Sequence, residues 1–185
     1  MPVRPIVIYP HPVLKTAAAP VTAFDEALGA LIEDMAETMY AAKGIGLAAN
    51  QIGVLQRVAV VDVADEGQPR ELLELVNPQV VVRDGKSRGE EGCLSLPKLY
   101  DNVDRAKLVK VTYQTRTGEA RELEASGLLG VCLQHEIDHL DGIMFIDRMG
   151  PLARQMALKR YKKLLEQRAL QSRGKPPAPD GHHPI

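Results

Sequence analysis

Residues His135-Glu-Ile-Asp-His139 carry the clearest chemical signal in the chain. On a helix, positions i and i+4 lie on one face, so both imidazoles can reach one cation. Glu136 then sits about 100° around the helix from His135, within reach of a water at that cation. Two imidazoles beside a carboxylate base make a hydrolytic arrangement, in which the cation polarises and the carboxylate moves the proton. Two of the five histidines fall in this one motif, which makes chance the poorer explanation.

Two imidazoles leave the cation short of a ligand. Candidates for the third are Cys93, the single downstream glutamate Glu166, and His182 or His183 near the C-terminus. Cys93 stands in Glu-Glu-Gly-Cys-Leu-Ser-Leu-Pro97, where Gly92 and Pro97 suggest placement by backbone geometry. Reactivity explains such a cysteine better than packing does. Cys132 lies three residues before His135 on the same helical face, a poor angle for a ligand, and reads as wall. Gln51 sits inside Gly44-Ile-Gly-Leu-Ala-Ala-Asn-Gln-Ile-Gly53. A buried amide there needs its hydrogen bonds used, and its NH₂ suits a developing oxyanion. A solvated loop glutamine accounts for it equally well.

These residues need a frame. Ser126 is placed to cap a helix over Leu128–Leu140, ended by Asp141-Gly142. Thr22-Ala-Phe-Asp25 resembles a capping box, followed by Leu28, Leu31, Ile32, Met35, Met39 and Tyr40 at helical spacing, with Gly44 as the stop. The Gly44–Gly53 stretch is too rich in glycine for a regular element and is predicted as a compact loop. Arg57–Val63 reads as a buried strand. Leu73–Asp84 reads as two short strands broken at Asn77-Pro78, and Leu108–Gln114 with Ala120–Glu124 as a hairpin around Thr117-Gly118. A last helix runs from about Leu152 to Leu170, with Leu152, Met156, Lys159, Lys163 and Leu170 on one partly apolar stripe. Short strands ahead of a metal-bearing helix give an α+β class.

One domain is expected over residues 1–171, with a polar, proline-rich tail over 172–185 that cannot order itself. The chain is 45% apolar with no Trp and 2 Phe, so aliphatic residues must fill the core. Its formal charge of −1 conceals asymmetry: between Pro151 and Lys175, eight Lys or Arg face Glu166 alone, leaving +7 there and −8 elsewhere. The start lacks a signal-peptide pattern, and no run nears the roughly 18 to 20 apolar residues of a membrane span. Two cysteines make no disulfide framework. A cytoplasmic protein with reduced thiols is the expectation, without membrane or DNA as partner.

Three segments then appear in order: GIGLAANQ (Gly44 to Gln51), EGCLS (Glu91 to Ser95) and QHEIDH (Gln134 to His139). Together they resemble the three signature motifs of the peptide deformylases, and IVIYPHPVLKTAAAPV resembles that family's start. The likeness runs from about Pro5 to Met149. It implies short sheets wrapped about the HExxH helix, with a C-terminal helix behind. It implies a divalent ion, Fe²⁺ by family, on Cys93, His135 and His139. Ligand type alone would also admit Zn²⁺, Ni²⁺ or Co²⁺. Glu136 becomes the general acid/base, and the Gln51 side chain and Leu94 N–H bind the oxyanion. Gly46 becomes a backbone partner of the substrate. Ile45, Leu128, Val131 and Cys132 would line a methionine pocket, and Glu91 with Arg105 would brace the Cys93 segment. The implied substrates are N-formylmethionyl peptides and nascent chains.

Departures from the pattern fall at Ala42 and Lys43, where many members carry two acids, and at Tyr100, where many carry Arg. They bear on preference beyond the first residue. Rival readings are an HExxH zinc endopeptidase with a Glu or His third ligand, a non-catalytic protein keeping the metal, and a deacylase for another small acyl group. The basic segment suggests transient contact with ribosomal RNA, against the plainer reading of a solvated basic face.

Overall fold

The computed structural model describes residues 3–65 and 67–172. The expected tail lies outside these residues, apart from Ser172, which ends the last helix. In chain order the elements are α1 (Glu26–Ala41), β1 (Gly46–Ala48), β2 (Val58–Val61), β3 (Leu73–Asp84), β4 (Ser87–Cys93), β5 (Leu96–Arg105), β6 (Leu108–Gln114), β7 (Ala120–Ser126), α2 (Gly127–Leu140) and α3 (Pro151–Ser172). All strand pairings are antiparallel, in a five-stranded sheet of order β1-β2-β3-β6-β7 and a separate β4-β5 hairpin. This is the expected α+β class.

Strand β2 explains how one sheet serves two helices. Successive side chains point to opposite faces, and all four of its residues are buried. Ala59 and Val61 pack with Cys132, Leu133, Ile137 and Leu140 of α2. Val58 and Val60 pack with Leu28, Ile32, Met35 and Met39 of α1. A third cluster joins Leu96, Leu99 and Val103 of β5 to Phe145 and to Ala157 and Tyr161 of α3. The site helix is therefore held between the sheet and the hairpin.

Several boundaries depart from expectation for physical reasons. The cap of α1 is Asp25, whose carboxylate accepts from Leu28 N at 3.0 Å, and not Thr22. The helix ends with Lys43, not Gly44, in the left-handed region (φ 55). Lys43 N bonds Tyr40 O and Gly44 N bonds Met39 O, closing the terminus in a Schellman motif. Gly44 is small for another reason: a Cβ there would lie 2.8 Å from Leu94 Cδ1. The glycine-rich stretch is not simply a loop, because β1 pairs with β2 and a 3₁₀ turn follows over Ala49–Ile52.

Leu73–Asp84 is one strand, with a register shift between Val76 and Gln79 in place of a break. Asn77 takes φ 52 there because its amide bridges Val21 N, Val21 O and Gln114 Oε1 at 2.8–2.9 Å. The apolar face of α3 is Ala157 and Tyr161, four apart. The expected stripe is wrong: Leu152, Met156 and Leu170 are 59–70% exposed. The β4-β5 hairpin is absent from the sequence reading altogether. No helix among the described residues is long and apolar enough to cross a membrane.

Candidate active site

Helix α2 and the β4-β5 hairpin meet at the three candidate donors. His135 Nε2 lies 3.2 Å from His139 Nε2, which lies 3.2 Å from Cys93 Sγ. All three donor atoms fall within 4.8 Å of one another, and all three residues are buried. Glu166 is exposed on α3 and takes no part. His182 and His183 lie outside the described residues. Cys132 is buried but points its thiol at Ile45 O, 3.5 Å away.

The hairpin delivers two residues at once. Glu91 and Cys93 are two apart on β4, across a register irregularity, and both reach α2, Glu91 at His135 and Cys93 at His139. Glu91 Oε2 meets His135 Nδ1 at 2.9 Å. Burial alone would push Glu91 upward, but hydrogen bonds from Arg105 and His135 outweigh it and hold its pKa at about 2. An ionised Glu91 accepts a hydrogen bond from Nδ1–H, which fixes the His135 tautomer whose Nε2 is free to ligate in the cluster. Burial pushes His139 well below the ordinary histidine value, so its ring is the neutral, ligating form. A thiol sulfur and two imidazole nitrogens converging in this way form a donor set fit for a divalent transition ion.

Glu136 is 1% exposed, and burial lifts its pKa to about 7. Its Oε2 has no hydrogen-bond partner among the described residues, an orphaned acceptor of the kind a catalytic role explains. Gly46 makes room for it. A Cβ at Gly46 would collide with Glu136 Oε1 and come within 2.8 Å of Cys132 Sγ. Replacing Gly46 by Ala is expected to swing the carboxylate aside and lower kcat by about 10², the usual penalty for a misplaced group. Metal content should stay that of the parent. Steady-state turnover and metal analysis on one preparation would check this.

Gln51 is held at both ends of its amide. Oε1 accepts from Ala48 N at 2.8 Å, while Nε2 lies 3.3 Å from Ser95 Oγ and 3.6 Å from Cys93 Sγ. The 3₁₀ turn that carries it closes on Gly53 (φ 80). The N-terminal segment ties the two halves together, since Val7 N bonds Gln51 O at 2.7 Å and Tyr9 N bonds Ser95 O at 2.9 Å. Leu94 lies in the turn between Cys93 and Leu96.

Leu128 and Val131 line a pocket of about 480 Å³ beside Glu91, Val103 and Arg105. Ile45 and Cys132 meet each other next to Gly46, rather than lining that pocket. Lys43 lines a second cleft with Tyr40, Asp62 and Arg70. Tyr100 covers Gly92, where a Cβ would sit 2.5 Å from its ring.

Sequence reasoning missed three buried polar residues. Ser95 bonds Gln51, Asn50 Nδ2 donates to His139 O, and Asp138 bonds Arg105 at 2.5 Å. Asp138 stands inside the HEIDH motif, and a buried acid on the ligand helix was the available signal.

Taken together, fold and site define a metal-dependent hydrolase built on an HExxH helix. The sequence profile of the family described as polypeptide deformylase matches residues 3–155. A peptide deformylase of Phenylobacterium zucineum is 49% identical over 164 residues, covering 88% of this chain and 97% of that protein. A crystal structure of a peptide deformylase from Legionella pneumophila superposes with TM-score 0.85 at 44% identity, covering 95% of this chain and all of that one. Another, from Ehrlichia chaffeensis in complex with actinonin, gives TM-score 0.81 at 36% identity, covering 88% and 98%. The chain belongs to the polypeptide deformylase family, metal-dependent hydrolases that remove the N-formyl group from nascent polypeptides.

Proposed function

We propose that this chain deformylates the N-terminal formylmethionine of new polypeptides, with Glu136 as general acid/base and Cys93, His135 and His139 as metal ligands. The observation that carries the assignment is the convergence of those three donor atoms beside a buried carboxylate with an unused oxygen. When bound, the ion supplies Lewis acidity that brings the pKa of a water molecule toward neutrality. Fe²⁺ is the natural ion on the family likeness, and the same donors accept Zn²⁺, Ni²⁺ or Co²⁺.

The residues divide the work. Glu136 takes the proton of the attacking water and returns it to the leaving amine. Gln51 Nε2 and Leu94 N–H donate to the formyl oxygen as it gains charge, each worth about 10² to 10³ in rate. Strand β1 is the edge of its sheet, so an extended peptide adds beside Gly46 as a further strand. Leu128 and Val131 receive the methionine side chain, with Ile45 and Cys132 packed together beside Gly46 on the approach to it. Glu91 and Arg105 brace Cys93 and His135.

The decisive experiment is formate release from an N-formyl-methionyl tripeptide by protein purified without oxygen and assayed for Fe, Ni and Zn. Rapid release supports the reading. No release from metal-replete protein would move the assignment to another acyl group or to a non-catalytic role.

The exposed basic face of α3 suits a transient contact with the ribosome, which would fit action in the cytoplasm where chains emerge. Lys159, Lys162 and Lys163 are exposed there, while Ala157 and Tyr161 anchor the helix. Replacing the three lysines by Glu should abolish salt-dependent co-sedimentation with ribosomes, because phosphate contacts dominate such binding. Tripeptide turnover should be unchanged. Undiminished co-sedimentation would sink the idea.

A further inference from the structure

We infer that Arg148 is a positioning residue for the metal ligand His135, acting through Asp138, Arg105 and Glu91. The inference rests on the assignment of His135 as a ligand. Beginning at the surface, Arg148 donates to Asp138 from Nε at 2.9 Å and Nη2 at 2.5 Å. Asp138 Oδ2 also accepts from Arg105 Nη1 at 2.5 Å. Arg105 then grips Glu91 with Nε at 2.6 Å and Nη2 at 2.9 Å. Glu91 Oε2 completes the series at His135 Nδ1, 2.9 Å away. Charges alternate from Arg148 to Glu91, and the His135 ring closes the series.

Burial makes the outer member matter. Glu91, Arg105 and Asp138 are 1%, 7% and 4% exposed, whereas the Arg148 side chain is 41% exposed. With Arg148 present, two guanidinium groups balance two carboxylates. Without it, Arg105 alone faces two buried carboxylates that compete for one planar fork, and an excess negative charge stays in a poorly screened place. Arg105 is then drawn from its two-point grip on Glu91 toward Asp138, and the acceptor that fixes the His135 ring loosens. Partners beyond the ligands orient a metal-bound imidazole, and losing one costs about 10- to 100-fold in metal affinity. A partly exposed arginine some way from the cluster thus acts on metal retention without touching the metal.

The test uses full-length protein loaded with Co²⁺ as probe. Its readouts are the rate of Co²⁺ loss to excess competing chelator and the visible spectrum of the Co²⁺-thiolate site. Arg148→Met is expected to lose Co²⁺ on the order of tenfold or more faster than the parent, with an altered spectrum. Arg148→Lys keeps the charge without the fork and should fall between. In a Glu91→Gln background, where the series is already cut, Arg148→Met should add little. Should Arg148→Met not fold, the lysine variant carries the comparison.

A lower melting temperature with parental Co²⁺ loss would overturn the inference, leaving Arg148 merely structural. So would a full, additive effect in the Glu91→Gln background. His135→Ala runs alongside. If that variant holds Co²⁺ like the parent, the ligand assignment itself fails; if only the Arg148 variants are silent, the inference alone fails.

Discussion

Replacing Glu136 by Gln is expected to leave a folded, metal-loaded protein that hydrolyses formyl peptides about 10² to 10⁴ times more slowly. The amide keeps the shape of the carboxylate, so packing around a side chain that is 1% exposed survives. What is lost is basicity. Burial holds the carboxyl at about 7, near where a group can both accept a proton from water and return it to an amine. A carboxamide does neither. Because Glu136 is absent from the cluster of converging donors, metal content should equal that of the parent. The loss should therefore appear in kcat with KM little changed. Formate release under saturating substrate, with metal analysis of the same sample, is the measurement. A variant retaining a tenth or more of parental kcat would mean that another group moves the proton. A variant without metal would mean that Glu136 holds the ion instead.

The same residues show what could be read from sequence. His135, Glu136 and His139 lie within five positions, so helical geometry alone relates them. Cys93 is brought in by the β4-β5 hairpin, 46 residues before His139, and local pattern could only name it beside Glu166 and the tail histidines. Resemblance to a family narrowed that choice. The hairpin was missed because β4 and β5 carry Arg88, Glu90, Glu91, Asp101, Asn102 and Asp104, residues that strands usually disfavour. They pair because the hairpin's other residues, Leu96, Leu99 and Val103, pack on Phe145 and α3. Strand β1 was hidden for a similar reason: its identity comes from register with β2, not from its own glycines. In α3 the fault was one of phase, since Ala157 is small enough to meet the core closely while the larger Met156 beside it stays outside. Of the charged series behind His135, only Asp138 had a local signature, its place inside the HEIDH motif. Arg105 and Asp138 are 33 residues apart, and only the fold makes them neighbours.

That series sets the second large effect, on stability. Arg105→Met is expected to destabilise the protein by about 3 to 5 kcal/mol, the usual cost of removing one partner from a buried charge network. For a chain of this size that is a fall in melting temperature of roughly 6 to 20 °C. The reasoning runs through what remains. The Arg105 side chain is 5% exposed and serves Glu91 and Asp138 together, themselves 1% and 6% exposed. Methionine fills much of the volume, so the loss is electrostatic more than steric. Asp138 keeps Arg148, but among the described residues Glu91 keeps only His135. The penalty should depend on pH with a definite sign. Glu91 has its folded pKa lowered to about 2 from an ordinary 4.5. Its stabilisation is therefore fully present above about pH 4.5 and is lost as pH falls toward 2. The difference between parent and variant should be largest near neutrality and shrink through that window. Parallel denaturation of both proteins from pH 7 downward would show it. A deficit that stayed constant with pH would place the cost in packing and not in the Glu91–Arg105 pair. A deficit under about 1 kcal/mol at pH 7 would mean that water or rearranged neighbours replace the guanidinium, as at an exposed ion pair.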